Sequence, residues 1–461
     1  MRRHCGPVHR VLAGALLVLM LSACSVLNSE IDLQEIYARQ AAELERITPV
    51  IIIPGVMGSR LVNAAGTEYW PGSSWNLATR RSWDHLGLPV AGMSPVATEP
   101  LQAQGLFDQV LGQDFYRQLV SALEDSGPYE CQPANEWDGQ ANCLLFAWDW
   151  RDDFVKAAAE LDRLVETIRR QLDDADLKVD LVAHSAGGLV ARYYARYGGV
   201  DVLTEAEVPG PPAPWHNKVR NVVLIGTPNF GSVSALQQAL MGESMGLLGR
   251  LSPAALATMN SMYQLLPHPD RAWMIGIDGL PVDRDLYDLA FWKESRWSIF
   301  DPAIRQRLRS RFADPDQAEA YLQALEAHMA AGLERGQRFH RALSLPLGES
   351  TASYVAFGSG CKLTPALCLL EEVNGEIKIH LWPEDIINPD PQINYQRLML
   401  APGDGRVTKS SLTGKGVSER FDDGLDSVFP LSYSVFVCAE HAQLPSDPTF
   451  RDNLLDILLV E

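Results

Sequence analysis

Ala183-His184-Ser185-Ala186-Gly187-Gly188 stands between an apolar run and a segment of helical spacing. A serine flanked by small residues at a strand-to-helix turn is the setting of a nucleophile elbow, where the tight turn lifts the hydroxyl clear of the backbone. The first glycine of the G-x-S-x-G pattern is replaced by Ala183, which is still small. The helix N-terminus that follows favours a developing negative charge. Ser185 is therefore the candidate nucleophile; the alternative is a serine that merely caps a helix. Such a serine needs a base, and the base needs an orienting carboxylate, in the chain order Ser, Asp or Glu, His. Asp404 lies in the glycine-flanked loop Pro402-Gly403-Asp404-Gly405-Arg406-Val407, and His441 follows the last apolar run. His380 and His216 are the lesser candidates for the base, while His184 is expected to pack behind the elbow. An oxyanion hole needs two convergent backbone N–H groups. Ala186 supplies one, and the loop Pro54-Gly55-Val56-Met57-Gly58-Ser59 supplies the other through Val56, with Met57 as the alternative.

Elements able to position these residues are visible as short apolar runs alternating with helical patterns. The runs Val50–Ile53, Leu144–Trp148, Val179–Ala183, Val222–Ile225, Tyr354–Phe357 and Tyr433–Val437 each stop at or near a turn residue or a candidate site residue. Continuous apolar strands between helices imply a mostly parallel sheet covered on both faces. Val155, Leu161, Leu164, Val165, Ile168 and Leu172 mark the helix between the second and third runs. From about Val233 to Pro346 only helical pattern is visible, including the stripe Leu322, Leu325, His328 and Met329, which predicts a helical cap inserted between strands. Asn374-Gly375 between two extended runs predicts a β-hairpin.

The 461 residues carry 39 basic and 58 acidic side chains, a net charge of -19. That excess of negative charge argues against a nucleic-acid partner. Arg2, Arg3 and Arg10 precede an apolar run from Val11 to Leu21, too short to span a bilayer but suited to a secretory signal. The run ends in Leu21-Ser22-Ala23-Cys24, which resembles the bacterial lipobox; the resemblance implies lipidation of Cys24 and attachment to a membrane. Ser25 after that cysteine favours the outer over the inner membrane of a cell envelope. Cys131 with Cys143, and Cys361 with Cys368, bracket short loops and are the candidate disulfides of an oxidising compartment. Cys438 is then left over as a small buried hydrophobe. No cysteine or histidine spacing suggests a metal site, and no cofactor is expected.

Several motifs together resemble the lecithin:cholesterol acyltransferase family, which includes lysosomal phospholipase A2. They are Pro49 to Leu61 (PVIIIPGVMGSRL), Ala147 to Arg151 (AWDWR), Ala183 to Gly188, Gly226 to Ser232 (GTPNFGS), Tyr354 to Gly358, Gly403 to Val407 (GDGRV) and Glu440-His441. The resemblance implies an α/β-hydrolase fold with Ser185, Asp404 and His441 as a triad, and Val56 with Ala186 as oxyanion donors. It departs from the family at Ala186, where a bulkier residue is common, and from Gly66 to Leu101. Trp70 and Trp75 in that stretch are read as packed aromatics, the alternative being a membrane-contacting loop. Asp149 and Arg151 are read as a structural ion pair. The expected organisation is a signal at 1–23, a membrane-proximal tether at 24–46, the first part of the core at 47–232, a cap at 233–346 and the second part of the core at 347–461. The expected activity is serine-dependent acyl transfer or hydrolysis on (phospho)lipid esters. A secreted triacylglycerol lipase or carboxylesterase, and a non-catalytic lipid-binding envelope protein, are the alternatives.

Overall fold

Val50-Ile51-Ile52-Ile53 forms a strand in which every side chain is buried, and its two-residue period divides it between two cores. Ile51 and Ile53 join one apolar cluster with Leu144, Leu181, Val222 and Leu224. Val50 and Ile52 join another, with Val182, Val223, Val355 and Phe357. Covering a strand on both faces removes the alternation of a half-exposed one, which is why the sequence reads as unbroken apolar runs. The computed structural model of the chain describes residues 33–459 apart from 45, 108, 111–112, 115, 211–217, 246, 348–351 and 415–429. The signal-like segment at 1–23 and Cys24 lie outside the described residues.

The central sheet has seven strands: β1 (Val50–Ile53), β2 (Cys131–Pro133), β3 (Cys143–Leu145), β4 (Val179–His184), β5 (Val219–Ile225), β6 (Ser353–Ser359) and β7 (Leu431–Val437). They lie in the order β7-β6-β5-β4-β1-β3-β2, and every neighbouring pair is parallel. The helices that matter for the site are α1 (Leu33–Glu43), α2 (Arg117–Ser126), α3 (Phe154–Gln171), α4 (Ala186–Tyr197), α5 (Pro315–Ser344) and α6 (Pro448–Leu459). This is an α/β-hydrolase fold. Helix α4 is buried along its whole length, so its N-terminus, directly after Ser185, is held rigidly against the sheet. Among the described residues no helix is long and apolar enough to cross a membrane.

Two segments interrupt the core. Between β5 and β6 the chain is mainly helical, as expected, and Leu322, Leu325 and Met329 of α5 are buried. It is not wholly helical: Glu243–Met245 pairs with Gly249–Leu251, and Met274–Ile275 pairs with Cys368–Val373. These strands of two or three residues are too short to show a period. The segment is fastened to the core through Asp153, the N-cap of α3, whose carboxylate binds Arg335 of α5 and accepts from Gln264 Nε2 at 3.0 Å. Between β6 and β7, Cys368–Val373 and Glu376–His380 form the expected hairpin. Asn374 and Gly375 both have positive φ (54° and 78°), the conformation that two-residue hairpin turns require.

Three expectations are corrected. Cys131–Cys143 is a disulfide across the paired strands β2 and β3, but Cys361 bonds Cys438 rather than Cys368. The parallel pairing of β6 with β7 brings Ser359 opposite Val437, so the residues just beyond both strand ends meet. Cys368 instead opens the hairpin strand, fully buried, and burial pushes its thiol up to about 12. Part of the stretch expected as a tether is helix α1, whose Tyr37 is buried and donates to the Asp452 carbonyl of α6 at 2.8 Å. Trp70 is packed at 5% exposure against Trp83, Phe107 and Trp150, whereas Trp75 is 74% exposed and is not a packed aromatic.

Candidate active site

Ser185 sits at the turn from β4 to α4 with φ 54° and ψ −126°. This strained conformation costs a non-glycine residue about 1–3 kcal/mol. Its amide donates to the Ile225 carbonyl at 2.7 Å, and its own carbonyl accepts from Gly188 at 3.0 Å. Close packing explains the small neighbours. A Cβ on Gly187 would lie 2.5 Å from the Pro54 carbonyl oxygen, and one on Gly188 would lie 1.9 Å from Thr227 Oγ1. Ala183 is fully buried, paired with Ile53 and Leu224 on either side, so the sheet accepts the methyl group where glycine is usual.

The structure brings Ser185, His441 and Asp404 together. Ser185 Oγ is 2.8 Å from His441 Nε2, and His441 Nδ1 is 2.8 Å from Asp404 Oδ2. The Asp404 carboxylate is buried, and its Oδ1 accepts from the Arg406 and Val407 amides at 2.9 and 2.7 Å. Burial alone would raise this carboxyl. The facing His441 and the three hydrogen bonds outweigh burial and hold it below the usual carboxylate range. The His441 amide also donates to the Asp404 carbonyl at 3.0 Å, so the two loops are joined through their backbones as well as their side chains. Gly226, at φ 56°, lies beneath them: a Cβ there would meet Asp404 Oδ2 and His441 Cε1, each at 3.2 Å. The Cys361–Cys438 disulfide anchors the same loop just before His441.

The loop from Pro54 to Ser59 is fixed by three indoles. Trp148 Nε1 donates to the Pro54 carbonyl at 2.9 Å, Trp70 Nε1 to the Met57 carbonyl at 2.8 Å, and Trp150 Nε1 to the Ser59 carbonyl at 3.2 Å. Asp149 and Arg151 form a two-pronged ion pair, at 2.9 and 2.7 Å, that stiffens the turn carrying Trp148 and Trp150. The Gly55 amide is bound to Tyr116 Oη at 2.9 Å and the Gly58 amide to the Gly55 carbonyl at 3.0 Å. Val56 and Met57 thus remain the loop's candidate oxyanion donors. Met57 has φ 66°, and both line the same cavity as Ser185 and His441.

That cavity has a volume of about 680 Å³. Trp70, Leu77, Phe107, Trp150, Met259 and Met262 give it an apolar body, and Ser185 with His441 opens into it. Arg406, paired with Glu243 at 2.7 Å, contributes a charged margin. An ester with a long hydrocarbon tail matches this division between an apolar body and a polar reacting end.

The other histidines are placed elsewhere. His380 faces Glu371 Oε2 at 2.7 Å in the hairpin, and His216 lies outside the described residues. His268 also touches a serine, with Nε2 2.8 Å from Ser344 Oγ, but its Nδ1 accepts from the Asp270 amide at 3.2 Å. A neutral imidazole that accepts at Nδ1 carries its proton on Nε2, the wrong form for deprotonating that serine. His184 is buried behind the elbow, as expected. The sequence reading gave no part to Tyr116; it took Gly226 as the start of the GTPNFGS motif, Trp70 as a packed aromatic and Trp148 as part of the AWDWR motif, without the contacts by which they position the site.

Burial pushes His184 down to about 3, with the neighbouring His441 adding to it, and burial then Arg271 do the same to His268. A histidine with a depressed folded pKa binds a proton in the unfolded chain, near pH 6.5, before it does so in the native state. Stability is then fully present above about pH 6.5 and falls towards the folded value near 3. Each such histidine contributes up to about 1.4 kcal/mol per pH unit. Urea unfolding at pH 7.5, 6.0 and 5.0 should show a midpoint falling with pH, and His268→Asn should flatten that fall. An unchanged midpoint across the series would contradict these protonation states.

Residues 135–302 match the model of the lecithin:cholesterol acyltransferase family. The match contains the AWDWR turn, the Ser185 elbow and the GTPNFGS loop; Val56, Asp404 and His441 lie outside it. No curated protein sequence matches the chain. Among solved structures, the Tle4-Tli4 complex is similar with a TM-score of 0.55 at 14% identity, covering 90% of this chain and 99% of that one. At that identity the likeness concerns the fold alone. Bacillus licheniformis lipase BlEst2 in mature form (TM-score 0.35, 11% identity, 90% and 93% covered) and EstA from Clostridium botulinum (0.33, 12%, 90% and 86%) are more distant. The family-model match and the fold together support a lipid acyl hydrolase or acyltransferase.

Proposed function

We propose that the protein transfers acyl groups from (phospho)lipid esters through an acyl-enzyme on Ser185, to water or to an acceptor alcohol. The observation that carries this reading is the 2.8 Å contact between Ser185 Oγ and His441 Nε2 at the wall of a mostly apolar cavity. His441 Nε2 takes the hydroxyl proton as Oγ attacks the ester carbonyl. Asp404 holds Nδ1–H and stabilises the imidazolium that results. The Val56 and Ala186 N–H groups receive the oxyanion, each donor being worth about 10²–10³ in rate. Collapse breaks the ester bond, and His441 returns its proton to the departing alcohol. Water or an acceptor hydroxyl then loses its proton to His441 and attacks the acyl carbonyl; collapse breaks the bond to Ser185 Oγ, which takes the proton back from His441.

We also propose that Cys24 is lipidated and places the enzyme on an envelope membrane, on the outer membrane in preference to the inner one. The lipobox-like Leu21-Ser22-Ala23-Cys24 after a positive and apolar leader supports this. Two acyl chains or more would anchor it stably where one would not.

Product analysis on phospholipid vesicles containing a sterol, with wild type and Ser185→Ala in parallel, tests the activity. A Ser185-dependent sterol ester identifies a transferase, and Ser185-dependent free fatty acid alone identifies a hydrolase. Equal product from both proteins, or none from either, contradicts the reading. Detergent-phase partitioning of wild type and Cys24→Ala tests the anchor: the wild type is expected in the detergent phase and the variant in the aqueous one.

A further inference from the structure

Behind the triad runs a hydrogen-bonded path that the proposed chemistry does not use. Tyr116, at the start of α2, is buried, and its Oη lies 2.9 Å from both the Gly55 amide and His184 Nδ1. On the other side of the imidazole, His184 Nε2 lies 3.1 Å from the His441 carbonyl. The partners fix the direction of every bond. A carbonyl only accepts, so His184 Nε2 carries a hydrogen; in a neutral imidazole Nδ1 is then an acceptor. Tyr116 Oη must therefore donate to Nδ1, and its lone pair takes the Gly55 N–H. The path runs from Gly55 N–H to Tyr116 O–H, to the His184 ring and to the His441 carbonyl. The His441 amide continues it to the Asp404 carbonyl.

Its two ends are the loops that must agree for catalysis. Gly55 backs directly onto the nucleophile, since a Cβ there would be 2.8 Å from Ser185 Cβ, and Val56 follows it. His441 carries the base, and its ring lies 5.1 Å from the His184 ring. A displacement of about 1 Å between reacting groups can cost about 10²-fold in rate. We propose that Tyr116 and His184 are positioning residues that hold the oxyanion loop in register with the base loop. This rests on the acyl-transfer reading of the Ser185 site. Neither residue needs to touch the reacting atoms: together they form a brace connecting the donors for the oxyanion to the residue that moves the proton.

The test uses the full chain and a short-chain p-nitrophenyl ester, with kcat, KM, reaction with a fluorophosphonate probe and thermal midpoint all measured. Tyr116→Phe keeps the ring and removes both bonds; it should lower kcat about 10–100-fold, leave KM within about twofold and slow probe labelling in parallel. His184→Leu should do the same. His184→Gln, whose side-chain amide can again donate towards the His441 carbonyl, should recover at least part of the loss. Because the two residues act in series, Tyr116→Phe combined with His184→Leu should be little worse than the poorer single variant. The proposal is overturned if Tyr116→Phe keeps kcat within twofold of wild type, if activity falls only in step with the folded fraction, or if KM rather than kcat changes. A wild type inert to both ester and probe would overturn the acyl-transfer reading itself, and this proposal with it.

Discussion

Ser185→Ala is expected to lower kcat on any accepted ester by about 10⁶, leaving only the background that a bound substrate and oxyanion donors provide. Among the described residues His441 Nε2 has Ser185 Oγ as its partner at 2.8 Å, and alanine removes that oxygen. The fold should be unaffected, because alanine keeps the Cβ and the strained φ is imposed by the Ile225 and Gly188 backbone bonds rather than by the hydroxyl. A thermal midpoint unchanged within about 2 °C, with hydrolysis at background, is the expected pair of results. Activity within tenfold of wild type would place the nucleophile elsewhere.

Asp404→Asn is expected to cost about 10³–10⁴ in kcat, and the reason lies in the hydrogen-bond directions. Asp404 Oδ1 accepts from two backbone amides, so the asparagine oxygen must occupy that position. Its NH₂ then faces His441 Nδ1 at the place where Oδ2 accepted. Nδ1 is forced to accept, the ring proton moves to Nε2, and the imidazole can no longer take the Ser185 proton. Steady-state kinetics at pH 7.5 measures the loss, and the ¹⁵N spectrum of His441 reports the change of tautomer. Because its surroundings hold the wild-type carboxyl below the ordinary carboxylate range, it stays ionised down to mildly acidic pH. An Asp404→Asn enzyme within tenfold of wild type would show that the carboxylate only joins the two loops.

The strands of the core were legible because a strand covered on both faces must be apolar at every position, as β1 is. Ser185 was legible because an elbow needs small residues against crowded backbone, a need that the contacts of Gly187 and Gly188 make concrete. Asp404 and His441 were read from chain order and turn context, and the structure brings them within hydrogen-bonding distance of one another. What stayed hidden depends on contacts far apart in sequence. Tyr116 is 61 residues from Gly55 and 68 from His184, and it stands at the start of an ordinary helix. The Cys361–Cys438 pairing spans 77 residues and follows from the register of β6 with β7, which no local spacing reveals. Trp70 and Trp75 are five positions apart yet differ completely in exposure, because only Trp70 reaches the aromatic cluster under the Pro54–Ser59 loop.

The central claim is that acyl transfer passes through Ser185. Its most direct test is to quench the enzyme in acid during turnover of a phospholipid and map the acylated peptide by mass spectrometry. The account predicts one acyl group, on the peptide carrying Ser185, which accumulates in His441→Ala or Asp404→Asn only far more slowly and is absent from Ser185→Ala. Product formation with an acyl group on another residue, or an adduct that persists in Ser185→Ala, would contradict it.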